Sequence, residues 1–271
     1  MLLRKFQSTI MIQKSRKLYL SPWNSFRTTS ICNILKMGKK DSSEDNSKSI
    51  AVVLCGCGSL DGTEVTEAVS VAIHCSQKGF KTEFYAPDKN LCEVINHCSG
   101  EIVNETRNAL IEAARISRSS IKPLSECKPH NVEGLIIPGG LGAIKTLSNF
   151  ASDGCDCIIL PEMEKLIEDF CCCKKPIGAI CISPVLIAKV LEGVKITLGN
   201  EGPPEKWPFG AAIQKAKKMG AKIEKKNVNG VTFCKQYNVY STPACMYGPA
   251  TSCEIFTGIG KMISKMIKSM K

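Results

Sequence analysis

The chain has 271 residues, 44% of them apolar, enough for one large α/β domain or two small ones, and it contains no run of about 18 apolar residues that could serve as a helical membrane span. Its net charge of +11 suggests nucleic acid until the charge is located: residues 1–40 hold nine Lys or Arg and no acid. The rest sets 27 basic against 25 acidic residues, a balance of only +2, which removes the support for a nucleic-acid partner.

Residues 1–40 combine Arg4, Lys5, Lys14, Arg16, Lys17 and Arg27 with many Ser and Thr and with scattered apolar residues such as Leu2, Leu3, Phe6 and Ile10. Basic, acid-free and amphipathic is the composition of a mitochondrial transit peptide, with the matrix as destination. A disordered basic tail or a misplaced gene start would give the same composition. The compact apolar stretch and small-residue cleavage site of a secretory signal are missing, so the sixteen cysteines read as reduced thiols rather than a disulfide framework. No metal site is expected: Cys55-Gly56-Cys57 and Cys155-Asp156-Cys157 lack the two-residue gap of zinc pairs, Cys171, Cys172 and Cys173 point to different sides of a helix, and His74, His97 and His130 lie far apart. Residues 41–48 are polar and charged, a flexible linker into a domain spanning 49–271.

Ile50 to Leu54 is a continuous apolar run, as expected of a parallel strand buried on both faces. A helix follows, with Val65, Ala68, Val69, Ala72 and Ile73 at helical spacing up to Gly79, and Glu64 stands at its start, beyond the strand's carboxyl end. A first-turn glutamate is in itself an ordinary helix cap. Lys81–Ala86 reads as a second strand, 89–106 as irregular, Asn108–Ser117 as a helix, and 134–137 as a third buried strand ending in Pro138-Gly139-Gly140. Glycines there allow close approach to the backbone, although Gly-Gly is also a plain turn. A lid-like connection with a helix over 161–172 leads to a fourth strand, Pro176–Ile180, and to Pro184, well suited to the first position of the next helix. Val194–Leu198 reads as a strand, Trp207-Pro208-Phe209 as pocket lining or core, Ala211–Met219 as a helix, and short strands around Asn229-Gly230 precede a final helix from about Ala250 to Met270. This alternation predicts one mostly parallel sheet covered on both faces, with the ligand site beyond the carboxyl ends of its strands. Glu64, Gly139, Gly140 and Cys181 all fall at that rim.

Cys181 sits at the corner between the fourth strand and its helix, where backbone N–H groups at the helix start would stabilise a thiolate and lower its pKa. That is a nucleophile elbow with sulfur in place of a hydroxyl.

The order of strand, acid, Pro-Gly-Gly and cysteine corner resembles the class I glutamine amidotransferase-like superfamily, in the branch that contains the Parkinson-associated deglycase. Gly56-Cys57-Gly58 to Asp61-Gly62-Thr63-Glu64, Phe84-Tyr85-Ala86-Pro87-Asp88, Glu105-Thr106-Arg107-Asn108, Pro138-Gly139-Gly140 and Cys181-Ile182-Ser183-Pro184 are similar to the family of bacterial enhancing-lycopene-biosynthesis proteins and their mitochondrial ES-one relatives, over about residues 49–268. The resemblance implies a flavodoxin-like three-layer α/β sandwich with Cys181 as nucleophile and Glu64 as the buried acid touching its sulfur. The amides of Gly140 and Ile182, with Gly139 beside them, would form the oxyanion pocket. It further implies glyoxalase- or deglycase-like action on small reactive carbonyls such as methylglyoxal, without cofactor. Relatives commonly carry a histidine where this chain has Asn200, which leaves Glu64 and the accessory Glu201 for proton transfer and weakens a glutaminase reading. A non-enzymatic redox or metabolite sensor built on the same cysteine is the alternative. Open α/β domains of this kind often pair as homodimers, although no residue pattern identifies the face.

Overall fold

A computed structural model of the chain describes residues 48–270, so the readings of residues 1–40 and 41–47 lie outside the described residues. In chain order the strands are β1 (Ser49–Val53), β2 (Lys81–Ala86), β3 (Val94–Ile95), β4 (Ile102–Val103), β5 (Ile121–Pro123), β6 (Leu135–Ile137), β7 (Ile177–Ile180), β8 (Lys195–Ile196), β9 (Lys222–Ile223), β10 (Thr232–Cys234) and β11 (Val239–Thr242). The α-helices are α1 (Val65–Gln77), α2 (Ala109–Ser117), α3 (Gly142–Lys145), α4 (Phe150–Asp153), α5 (Pro161–Cys172), α6 (Pro184–Val190), α7 (Ala211–Lys218) and α8 (Ser252–Lys268).

The apolar runs of β1, β6 and β7 are 0–1% exposed, because in a parallel sheet both faces are covered and neither side of such a strand meets water. The seven-stranded sheet has the order β10-β11-β7-β6-β1-β2-β5. All its pairs are parallel except β10 against β11. Helices α1, α2 and α8 pack together as one outer layer, and α5, α6 and α7 as the other. The result is a flavodoxin-like three-layer α/β sandwich. Among the described residues no helix is long and apolar enough to cross a membrane.

Three local details differ from the sequence pattern. Val194–Leu198 contributes only Lys195–Ile196, which pairs with β9 in a separate small parallel sheet. It is held short between Gly193 and Gly199, both left-handed, and a Cβ at Gly199 would collide with the Trp207 ring. Residues around Pro123 form the edge strand β5, the place in a sheet where a missing N–H is tolerated. Helix α1 is rotated from the face its apolar spacing suggested. It buries Glu67, Ala68, Ser70, Val71 and Cys75 and leaves Val65, Val69 and Ile73 between 41% and 43% exposed.

The outer layers are held by fully buried side chains such as Phe170 on α5. Phe170→Ala is expected to lower unfolding free energy by about 3–5 kcal/mol. Ile158→Ala, at a residue 69% exposed, should stay within about 0.5 kcal/mol of the parent. Urea midpoints compare the two, and equal effects would contradict this account of the core.

Candidate active site

Between the last residue of β7 and Pro184 of α6 the backbone turns through Cys181, whose φ of 60° is left-handed. A side chain other than glycine held there costs on the order of 1–3 kcal/mol. Three bonds hold the corner. The Cys181 N–H donates to the Thr242 carbonyl at 3.0 Å. The Ser183 hydroxyl donates to the Ile137 carbonyl at 2.7 Å, and the Ile180 N–H donates to Ser183 Oγ at 2.9 Å. The Cys181 side chain is thereby aimed into a cavity of about 180 Å³ while its residue remains only 6% exposed.

Glu67 supplies the carboxyl group at this sulfur. It is fully buried on the inner face of α1. Its Oε2 accepts from the Gly139 N–H at 2.7 Å and its Oε1 from the Cys245 N–H at 3.3 Å, and the thiols of Cys181 and Cys245 stand beside it. Burial first, and the neighbouring charge of Glu64 second, push the Glu67 carboxyl up to about 7. The Cys181 thiol is also pushed well above its ordinary value, by burial and then by Glu67. The amides of Gly140 and Ile182 donate toward the sulfur and pull the other way. The low pKa expected from the helix start is therefore corrected: α6 has only seven residues, and loss of solvent outweighs its dipole.

Other expected site residues take different places. Glu64, expected to touch the sulfur, caps α1 instead. Its Oε2 accepts from the Glu67 N–H at 2.7 Å, its own N–H donates to the Gly139 carbonyl at 3.0 Å, and it stands in the cavity wall. The Gly139 N–H is spent on Glu67, which leaves the amides of Gly140 and Ile182 facing the sulfur. Asn200 is turned away from the cavity lining, its amide donating to the Lys226 carbonyl at 3.1 Å. Glu201 is exposed and ion-paired to Lys217 at 2.7 Å, which holds its carboxyl below the ordinary range; it too lies outside the cavity wall. Phe209, Leu60, Leu141 and Met246 make the remaining wall largely apolar.

Glu67 and Cys245 are the site residues that sequence reasoning missed. A charged residue within a helix is normally assigned to solvent, yet Glu67 shares its helix face with Val71 and Cys75, which is the signal that could have found it. Glu64, Glu67 and Cys245 bring one potential ligand atom each within 4.8 Å of one another. The Glu67 oxygens already accept from two amides and the Glu64 side chain from the helix start, so this cluster is engaged in the protein's own hydrogen bonds.

Burial favours protonated Glu67, so its contribution to stability is complete below the ordinary carboxylate range and is lost as pH rises through about 7. The stability of the parent should fall from about pH 4.5 to about pH 7, while Glu67→Gln, with no proton to lose, stays flatter across that window. Urea midpoints at several pH values measure this, and parallel profiles would contradict a buried titrating carboxyl.

No family model matches the chain. It is similar to the rat protein named ES1 protein homolog, mitochondrial, with 41% identity over 226 residues that cover 81% of this chain and 83% of the relative. It is also similar to human glutamine amidotransferase-like class 1 domain-containing protein 3, mitochondrial, with 41% identity over 221 residues, 81% of this chain and 82% of the relative. A solved structure of an isoprenoid biosynthesis protein with amidotransferase-like domain from Ehrlichia chaffeensis superposes with a TM-score of 0.75 at 32% identity, covering 83% of this chain and all of that one.

Proposed function

The chain belongs to the mitochondrial ES1 protein family, and on that premise we propose that it is a glyoxalase- or deglycase-like enzyme that converts small reactive carbonyls in the mitochondrial matrix through Cys181. The observation that carries this reading is the buried pair of Cys181 and Glu67, with two backbone amides directed at the sulfur in the wall of a small, largely apolar cavity. Its volume, about 180 Å³, suits a molecule of only a few heavy atoms.

In this scheme Glu67 takes the thiol proton as the sulfur adds to the aldehyde carbon of an α-oxoaldehyde. Thiolate is then formed only when an electrophile is present to receive it, which suits a thiol whose free anion is disfavoured by burial. The developing alkoxide is held by the amides of Gly140 and Ile182, fixed donors in a site poor in water. Glu67 hands the thiol proton to the alkoxide, then removes the proton from the carbon that now bears sulfur and returns it to the neighbouring carbon while the hydroxyl proton passes from the first oxygen to the second, turning the hemithioacetal into a thioester. Water hydrolyses the thioester, releases the hydroxy acid and restores the thiol. A carboxyl poised near 7 can run both directions of such a transfer at neutral pH.

The test uses the full chain with methylglyoxal or glyoxal, without added thiol, and follows hydroxy-acid formation. Cys181→Ser should remove turnover. Glu67→Gln should lower kcat/KM by about 10²- to 10⁴-fold, and Glu64→Gln by less, because Glu64 is engaged in capping the helix and acts on the pair through its charge on Glu67. A Cys181 adduct that releases no product would overturn the catalytic reading in favour of a carbonyl or redox sensor.

A further inference from the structure

The reaction proposed above leaves Cys245 without a task. Its side chain stands with Cys181 in the wall of one cavity, and among the described cysteines these two alone line it. The backbone brings them together. β11 lies beside β7, so Cys181 donates its N–H to the Thr242 carbonyl at 3.0 Å. Two residues later Ala244 adopts a left-handed φ of 44°, and the Cys245 N–H turns back onto Glu67. The Cys245 sulfur then lies within 4.8 Å of a Glu67 oxygen, and the Cys181 thiol stands beside the same carboxyl. Two cysteines gathered around one carboxyl group by neighbouring strand ends, in the wall of one cavity, are the pair that a disulfide here would join.

We propose that Cys245 is the resolving thiol of Cys181: a hydroperoxide entering the cavity oxidises Cys181 to the sulfenic acid, and Cys245 condenses with it to an intramolecular disulfide. In the first step the Cys181 sulfur attacks one peroxide oxygen and the O–O bond breaks. The thiol proton passes through Glu67 to the leaving oxygen, so the hydroperoxide is reduced to an alcohol and the sulfur is oxidised. In the second, the Cys245 sulfur attacks the Cys181 sulfur, the S–O bond breaks, and hydroxide leaves as water with the Cys245 proton. The sum is two thiols and one hydroperoxide giving one disulfide, one alcohol and one water. The disulfide suspends the nucleophile reversibly and keeps it from the sulfinic acid, which ordinary thiols do not reverse. This inference rests on Cys181 being the reactive thiol of the proposed function.

The test treats the full chain with hydrogen peroxide, blocks free thiols by alkylation and maps tryptic peptides without reduction. Cys181 is the sole cysteine in 175–189, and Cys245 shares 236–261 with Cys253, so fragment ions must place the link. The expected result is a 181–245 disulfide that dithiothreitol reverses with recovery of Cys181 alkylation, whereas Cys245→Ala carries Cys181 to the sulfinic acid and recovers none. Oxidised Cys181 with Cys245 still free, or linked to any other cysteine, would overturn the inference while leaving Cys181 as the reactive thiol. Cys181 that neither oxidises nor alkylates would overturn both readings.

Discussion

A carboxyl group removed from water has to be neutral or fully bonded, and the surroundings of Glu67 are arranged around that requirement. Its Oε2 approaches the Gly139 N–H at 2.7 Å, a distance open only because Gly139 has no side chain; a Cβ there would stand 2.5 Å from the Cys181 Cβ and 2.8 Å from Glu67 Oε2. Gly140, at φ 99°, then packs against the Gly62 carbonyl and the Glu64 N–H. Gly62 in turn has room only for hydrogen beside the Cys57 N–H. Three glycines from two loops thus seat the first turn of α1 on the ends of β6 and β7, and that seating turns Glu67 inward.

The same burial governs the sulfur. A thiol at a helix start is commonly pictured as ionised, but the seven residues of α6 cannot offset loss of solvent and a carboxylate neighbour. Cys181 and Glu67 therefore behave as partners in one proton transfer rather than as a preformed anion beside a bystander acid. Reactivity under these conditions depends on what enters the cavity, which separates Cys181 from the exposed Cys172 and Cys173. Cys245 extends the pair to a third member on the same carboxyl.

Much of the sheet was legible in the sequence because strands buried on both faces are written as unbroken apolar runs; Ile50–Leu54 and Leu135–Ile137 are examples. The corner at Cys181 was legible because Pro184 marks the helix start. What misled was α1. Val65, Val69 and Ile73 recur at helical spacing yet face outward, since periodicity reports where apolar residues lie and not which stripe meets the sheet. Glu67 lies off that apolar stripe, and the contact with the sulfur was expected of Glu64 from the family resemblance. Asn200 and Glu201 were placed by the resemblance, in the loop after a strand that is only two residues long here, and their partners Lys226 and Lys217 lie in later segments of the chain. Cys245 gave no signal, because the turn that brings it to Glu67 depends on the pairing of β11 with β7.

The central claim is that Cys181 and Glu67 form one buried pair in which the sulfur is held as the thiol. The far-ultraviolet absorbance of thiolate, taken as the difference between parent and Cys181→Ser across a pH titration, tests it most directly. The account predicts no Cys181 thiolate at neutral pH, with ionisation only well above the range of an ordinary cysteine. Removing the charge in Glu67→Gln should move that ionisation to lower pH. A thiolate already present at pH 6–7 in the parent would contradict the account and restore the helix-stabilised anion in its place.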